Sequence, residues 1–149
     1  MKFSLICLFS LLLLASCMEY KTVRYPVTGK SKIKYRMEIP KGYNFEGLSG
    51  DHESEIRYWY ADSSVIYITD FSNTINYYEY RKQGTYQKRF DAVVDNDTLT
   101  LQGIDSLGRL WKDRKLKYIT VGYSRVLPAD KAKFEKAIFG AARLDHGIN

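Results

Sequence analysis

The sequence is poor in cysteine and proline, with two Cys and three Pro among 149 residues. Cys7 lies inside an apolar run near the N-terminus, and Cys17 follows that run. If the run is removed, a single cysteine remains and no intramolecular disulfide can form. Roughly 130 residues are then left, enough for one domain with its own hydrophobic core. We therefore expect one domain that is held together by its core and not by disulfides.

Motifs for catalysis and for cofactor binding are also missing. The chain contains no CxxC, P-loop, GxGxxG or GxSxG motif. One of its two histidines, His52, lies in the polar stretch SGDHESE without a nucleophile motif beside it. Asp51 and Glu53 flank His52, but adjacent side chains rarely converge on one ion. We therefore expect no metal, no cofactor and no enzymatic activity.

The longest apolar run, residues 3–14, is too short to span a bilayer, which takes about 20 residues. Lys2 precedes the run, and the small residues Ala15 and Ser16 follow it. A positive charge, a short apolar segment and small residues in this order are typical of a cleaved export signal. The sequence therefore predicts a signal peptide over residues 1–16.

The residues at the end of this segment, Leu14-Ala15-Ser16-Cys17, resemble the lipobox of bacterial lipoproteins. This resemblance implies that the chain is cut before Cys17, that the thiol carries a diacylglyceryl group and that the new amine is acylated. An aspartate directly after the lipidated cysteine resembles an inner-membrane retention signal, but this position is occupied by Met18. We therefore expect a lipid anchor in the outer membrane of the cell envelope, on either face. The alternatives are an ordinary secretory signal with an incidental cysteine, or an uncleaved anchor helix.

The net charge of +6 includes a basic cluster close to Cys17. The cluster consists of Lys21, Arg24, Lys30, Lys32, Lys34 and Arg36. Basic residues near an anionic bilayer are attracted to it, but they also keep a protein soluble. Solubility is the favoured interpretation, because an acylated cysteine already anchors the chain. Export separates the protein from nucleic acid, which is therefore not expected as a partner.

Period-two alternation predicts several strands after a tether over residues 17–32. IKYRMEIP places Ile33, Tyr35, Met37 and Ile39 on one face. EIRYWY and VIYITD are two strands joined by ADSS, which has the length of a hairpin link. Further strands are predicted for YQKRFDAVV, TLTLQGI, RLWKDRK and LKYITVGYSRV.

Helical spacing is found in two segments. Residues 73–83 are compatible with a short helix, although three tyrosines within four residues also suit a strand. In LPADKAKFEKAIFGAARL, Phe134, Ala137, Ile138 and Ala141 form one apolar stripe. Strands followed by an amphipathic helix predict an α+β domain over residues 33–145, an antiparallel sheet with the C-terminal helix packed on one face.

Two segments, EIPKGYNFEG and PADKAKFEKAIFGAAR, resemble parts of PsbP-like lipoproteins. In that family a strand ending in Ile-Pro-x-Gly opens a sheet, and a late helix covers it. The resemblance implies the same α+β architecture and no particular site. With the lipobox, it indicates a small envelope lipoprotein of the Bacteroidota type.

Aromatic residues are abundant, with 13 Tyr and two Trp, and they are concentrated in YWY and YYEY. Arg57, Trp59, Tyr77 and Tyr80 are the candidate binding residues, because tyrosine and tryptophan offer flat apolar rings with a polar group to glycans and proteins. The alternative is that tyrosines fill half-buried sheet positions. A basic rim suited to acidic glycans or an acidic protein is also predicted, from Arg81, Lys82, Lys88, Arg89, Lys112, Arg114, Lys115 and Lys117.

Two triplets, Asp97-Thr98-Leu99 and Asp105-Ser106-Leu107, resemble the Asp-Ser/Thr-apolar sequon for O-glycosylation of exported proteins in Bacteroidota. Both lie in or beside predicted turns, where an attached oligosaccharide would not disturb a core. Thr98 and Ser106 are therefore candidate modification sites.

Three classes of function fit these observations. The leading hypothesis is a membrane-anchored, non-catalytic binding or accessory domain with an envelope protein or glycan as its partner. The second is an inhibitor or immunity lipoprotein that blocks an envelope-targeting enzyme with a loop such as residues 48–55. An envelope hydrolase is the third.

Overall fold

The computed structural model describes residues 20–30, 32–95 and 97–144, so the predicted signal peptide and Cys17 lie outside the described residues. Within these ranges the chain forms two antiparallel sheets and three helices, which confirms the predicted α+β class. The strands are β1 Tyr20–Pro26, β2 Lys34–Pro40, β3 Tyr43–Ser49, β4 Ser54–Tyr60, β5 Val65–Thr69, β6 Leu99–Ile104, β7 Leu110–Leu116, β8 Ile119–Val126 and β9 Ala142–Leu144. The helices are α1 Tyr77–Lys82, α2 Tyr86–Val94 and α3 Lys131–Phe139, the last preceded by a 3₁₀ turn, Pro128–Asp130.

The large sheet has six strands in the order β3-β4-β5-β8-β7-β6. The predicted hairpin of β4 and β5 is confirmed, with Tyr58 opposite Ile66. Every residue of β5 is buried. A strand with no exposed side must be covered on both faces of its sheet.

The first face of the large sheet is covered by α3 and by a small sheet of order β1-β2-β9. The predicted apolar stripe is confirmed, since Phe134, Ala137, Ile138 and Ala141 all belong to the main core. Tyr60 of β4 contacts Phe134 with ring centroids 5.2 Å apart, which places the C-terminal helix against the predicted hairpin.

The opposite face of the large sheet is covered by α1 and α2. Tyr80 of α1 packs on Trp111 of β7 with ring centroids 5.6 Å apart, and Leu101 of β6 completes this smaller cluster. Polar side chains also lie under these helices, among them Asp113 and Arg89. The large sheet is thus the middle layer of the domain.

The prediction of a tether over residues 17–32 was wrong from Tyr20 onward. Residues 20–26 form β1, which pairs with β2 from Tyr20 opposite Pro40 to Pro26 opposite Lys34. Val23, Tyr25 and Val27 alternate and are buried, but Arg24 and Pro26 between them concealed this pattern. The domain therefore begins 13 residues earlier than the predicted start at residue 33.

The prediction of a strand for YQKRFDAVV was also wrong, because this segment forms α2. Its inward positions are Arg89 and Ala92, whereas Tyr86, Phe90 and Val94 are exposed. These exposed apolar residues lie four positions apart, so they fall on one side of the helix, but they also share the even phase of a strand, which explains the error. An i,i+4 hydrogen bond of 2.8 Å from Gln87 to Asp91 supports the helix instead.

Among the described residues, no helix has the length and apolarity needed to cross a membrane.

Candidate functional site

Arg57 and Trp59 lie on the face of β4 that points away from α3, where both bind acidic side chains. The Trp59 indole Nε1 donates a hydrogen bond to Glu46 Oε2 over 2.8 Å. Arg57 pairs with Glu55 through its Nε, and its Nη1 lies 3.6 Å from Glu46 Oε2. The guanidinium of Arg57 and the indole of Trp59 therefore both have acceptors within the domain.

Tyr80 does not provide a binding surface, contrary to the prediction. Its side chain is only 1% exposed, because it packs on Trp111, and its hydroxyl is 2.8 Å from Thr74 Oγ1. Tyr77 is half-buried on α1 and makes edge-on ring contacts with Tyr78 and Tyr86. The predicted group of four residues is thus divided between a strand face, a helix and the core.

A more organised polar site lies where β1 and β5 end and β8 begins. This open cleft has a volume of about 210 Å³. We call it the basic cleft; its lining contains the cations Lys30, Lys115 and Lys117, the acids Glu53 and Asp70, and the polar side chains of His52, Tyr118 and Thr120. The volume exceeds that of several waters, each of which takes about 30 Å³ in the liquid.

Lys115 is the innermost cation of the basic cleft. It is 6% exposed, and its Nζ donates hydrogen bonds to the carbonyls of Leu116 and Lys117 over 3.0 and 2.6 Å. Burial, and then the nearby charge of Arg89, lowers the pKa of Lys115 to about 8. An ammonium has three N–H donors, so the two carbonyls leave one of them for another acceptor.

Arg89 lies behind the cleft wall and adds a second buried charge. Its Nη2 donates to Thr120 Oγ1 over 2.9 Å, while its Nε and Nη1 have no hydrogen-bond partner. Burial lowers the pKa of Arg89, yet a guanidinium stays charged at neutral pH. Among the described residues neither Arg89 nor Lys115 forms an ion pair. Two buried cations without an acidic partner create a positive potential at Thr120.

The two acids that line the cleft accept hydrogen bonds from backbone N–H groups, and no ion pair among the described residues joins them to the cleft lysines. Asp70 accepts hydrogen bonds from Thr28 N over 2.8 Å and from Ser54 N. Glu53 accepts one from Ser72 N over 3.2 Å. These bonds tie three loops together around the cleft, and they leave its lysines to interact with something else.

Tyr118 gives the cleft an aromatic wall. Lys30 Nζ lies 4.9 Å and Lys117 Nζ 5.4 Å from the centre of its ring. The cleft thus combines an aromatic face, threonine hydroxyls and several cations. This combination suits an anionic group attached to a small polar body such as a sugar.

A second buried polar cluster surrounds Asp113 on the same face of β7. Asp113 accepts hydrogen bonds from Tyr67, from Thr74 Oγ1 over 2.7 Å and from Asn76 Nδ2 over 2.6 Å. Burial raises its pKa to about 6. A Cβ at Gly122 would lie 2.6 Å from both Asp113 Oδ1 and the Tyr67 hydroxyl, so only glycine fits there. This cluster is closed to solvent and fastens α1 to the sheet.

The predicted basic rim is not one surface. Lys112 and Arg114 face α3, where they pair with Glu135 and with the carbonyls of Ile138 and Phe139, whereas Lys115 faces the opposite side of the sheet. The alternation in LWKDRK indicates that its basic residues lie on two different faces of the strand. Trp111, Asp113 and Lys115 share one phase, so a buried tryptophan indicates a buried lysine as well.

The two candidate modification sites flank β6. Thr98 precedes this strand and Ser106 lies in the turn after it, and both are exposed. Asp51 and His52 are exposed in the hairpin between β3 and β4, and no group of three His, Cys, Asp or Glu in the described part of the chain is arranged to hold a metal ion.

Comparisons of the chain with protein-family models, with curated proteins and with solved structures found no match.

Proposed function

We propose that the protein is a lipid-anchored, non-catalytic binding protein of the cell envelope, and that its domain binds an anionic ligand in the basic cleft. The observation that carries the proposal is the pair of buried cations, Arg89 and Lys115, without an acidic partner among the described residues. An uncompensated buried charge destabilises a fold, so its presence is best explained by a counter-charge that arrives with a ligand. The Tyr118 wall favours an acidic saccharide, carrying a carboxylate or a phosphate.

The anchor supports an envelope location for this ligand. The lipobox-like Leu14-Ala15-Ser16-Cys17 places the lipid three residues before Tyr20, where β1 begins. Val27 and Thr28, which line the cleft, follow the other end of this strand. A strand of seven residues extends about 23 Å, so the cleft lies within a few nanometres of the membrane.

Calorimetric titration of the purified lipoprotein in detergent tests the proposal. The probes are inorganic phosphate and galacturonate, with neutral galactose as the matched control ligand. We expect both anions to bind and galactose not to bind. The affinity for both anions should fall about tenfold per pH unit above pH 8, because Lys115 loses its proton there and its neutral amine no longer attracts an anion.

Lys115→Met provides a sharp variant, since it keeps the side-chain length and removes the buried charge. We expect it to abolish anion binding while the free energy of unfolding stays the same or rises by about 1–2 kcal/mol. Lys88→Met, at an exposed position of α2, is the matched control and should bind like the wild type. Equal binding by the Lys115→Met variant would contradict the proposal.

An inhibitor or immunity role is the second candidate. The hairpin turn between Ser49 and Ser54 stands at the same end of the domain as the basic cleft, with His52 in both. A loop beside a basic cleft would suit a protein partner with an acidic site. In that case the small anions would not bind, while a stoichiometric protein complex would be lost with Lys117→Glu.

A further inference from the structure

The outer face of the small sheet is basic and has no covering element among the described residues. Strand alternation turns Val23, Tyr25, Tyr35, Met37 and Ile39 into the core. The intervening residues point outward, and the exposed ones among them are Thr22, Arg24, Arg36 and Glu38. Lys34 of β2 is half-buried on the same face.

The two arginines are directly opposite each other across the β1–β2 ladder. Like charges at opposed positions of an antiparallel pair destabilise it. Glu38 stands opposite Thr22, on the side of the arginine pair that faces the start of β1. No ion pair among the described residues involves Arg24, Lys34 or Arg36. The face therefore carries three cations against one carboxylate, without internal compensation.

The anchor end of β1 carries an aromatic ring with a cation from α3 next to it. Lys136 of α3 places its Nζ 4.3 Å from the centre of the Tyr20 ring. Tyr20 is half-buried, and its pKa is raised by burial and by the charge of Glu38. Tyrosine rings and lysines together are typical of surfaces at the level of lipid headgroups.

Covalent geometry keeps this face close to the proposed lipid. Two residues, Met18 and Glu19, separate Cys17 from Tyr20. Three peptide units extend at most about 11 Å, so β1 begins next to the headgroup layer once Cys17 is acylated. A face that starts there, carries uncompensated cations and is flat as a sheet matches an anionic bilayer in charge and in shape.

We infer that the outer face of the small sheet lies on the anionic phospholipid surface of the membrane that holds the lipid anchor. This inference rests on the anchor of the proposed function and is independent of the basic cleft. In this arrangement β1 and β2 lie along the bilayer plane, and Arg24, Arg36 and Lys34 contact lipid phosphates. The large sheet and α2 then stack away from the membrane in that order.

Site-specific labels test this orientation in the mature, acylated protein reconstituted into vesicles. The acylated Cys17 leaves no free thiol in the mature chain, so one introduced cysteine gives a unique site. Thr22→Cys labels the outer face of the small sheet, and Gln87→Cys labels α2, on the far side of the large sheet. Each carries a fluorophore that a quencher attached to the lipid headgroup can reach only at the membrane surface.

We expect the label at position 22 to be quenched more strongly in vesicles of phosphatidylglycerol and phosphatidylethanolamine than in phosphatidylcholine vesicles, where only the anchor holds β1 near the surface. The label at position 87 should remain unquenched in both. Raising the salt concentration to 1 M should remove the difference between the two kinds of vesicle, since the Debye length falls to about 3 Å. Equal quenching at position 22 in anionic and neutral vesicles overturns the inference.

Charge variants distinguish the effect of the cations on this face from the effect of the protein's overall charge. Arg24→Gln with Lys34→Gln and Arg36→Gln should lower the equilibrium constant for surface contact about a hundredfold, a factor of about five per residue. The matched control, Arg81→Gln with Lys82→Gln and Lys88→Gln, removes three charges from the helices on the opposite side and should change nothing. Equal effects of the two triple variants also overturn the inference.

The anchor is checked first by intact mass, so that its failure is distinguishable from a failure of the docking face. If Cys17 proved unmodified, the proposed anchor would be lost, and co-sedimentation of the same chain with the two kinds of vesicle would replace the quenching measurement. Sedimentation with anionic vesicles alone would then support the docking face. Sedimentation with neither kind, or with both kinds equally, would overturn it.

Discussion

Asp113 shows how a single buried carboxyl makes stability depend on pH. Three donors approach it, but burial dominates and raises its pKa from 3.8 to about 6. Because the folded state holds the proton more tightly than the unfolded chain, the stabilisation is present below about pH 4 and is lost as the pH rises through 6. A shift of about two units corresponds to about 3 kcal/mol.

Asp113→Asn should therefore remove a pH dependence of about 3 kcal/mol between pH 4 and pH 7.5. Urea unfolding at a series of pH values measures it, as the difference between wild type and variant. Asp91→Asn, at an exposed position of α2, is the control and should follow the wild type. A variant at position 113 that keeps the wild-type pH profile would show that this carboxyl is ionised without cost.

Thr98 and Ser106 are exposed hydroxyl residues, each preceded by aspartate and followed by leucine. An oligosaccharide on either side chain would project into solvent next to β6, an edge strand of the large sheet. We expect protein from its own host to have a higher mass than the acylated chain, and Thr98→Ala with Ser106→Ala to remove the difference. Thr100→Ala, which follows leucine, should keep the added mass, and a double variant that also keeps it would rule out these sites.

At the scale of the strand, β4 separates packing from surface within two neighbouring residues. Tyr58 is 4% exposed and lies with its ring centre 4.8 Å from that of Tyr43. Trp59 points to the other face, where it is half-buried and bonded to Glu46. We expect Tyr58→Ala to lower the free energy of unfolding by about 3–5 kcal/mol, and Trp59→Ala by about 1 kcal/mol.

Urea melts of the two variants decide between these faces. Tyr43→Ala, which removes the ring that contacts Tyr58 but is itself half-buried, should give an intermediate loss. If Trp59→Ala unfolded the domain while Tyr58→Ala did not, the assignment of the two faces would be reversed.

The elements that the sequence predicts well are those whose buried side follows a simple period. β2, β4 and α3 each turn an apolar set inward at spacing two or at helical spacing, β5 is buried along its whole length, and all four were predicted. Failure came where the inward side is polar or the outward side is apolar, as in α2 with Arg89 inside and Phe90 outside. The local sequence pattern does not show that a polar residue faces inward or an apolar one outward, because the tertiary contacts decide this.

The basic cleft was beyond prediction for a different reason. Its lining comes from five separate segments, around Thr28, His52, Asp70, Val93 and Lys115, and only the topology brings them together. The predicted rim did include Lys115, Lys117 and Arg89. Which of its eight members share a surface depends on the helix α2, which the sequence did not predict.

For the molecule as a whole, the proposed lipid at Cys17 would decide the location. Cys17→Ser should release the protein from the membrane fraction or leave the signal peptide uncleaved, because the modification needs the thiol. Fractionation and intact mass measure this, and Cys7→Ser, inside the predicted signal peptide, is the control. An unmodified Cys17 in the mature wild-type protein would leave only an ordinary secretory signal.

If Cys17 carries the proposed lipid, the start of β1 at Tyr20 limits how far the domain can move away from the membrane. Many anchored proteins are attached through a long flexible linker, whereas here only two residues would separate the proposed lipid from the first strand. A domain of about 130 residues has a radius of gyration of about 14 Å, so the basic cleft samples only a thin shell over the bilayer. Within that shell the encounter with a ligand becomes nearly two-dimensional, and the surface density of the ligand, more than its bulk concentration, governs occupancy.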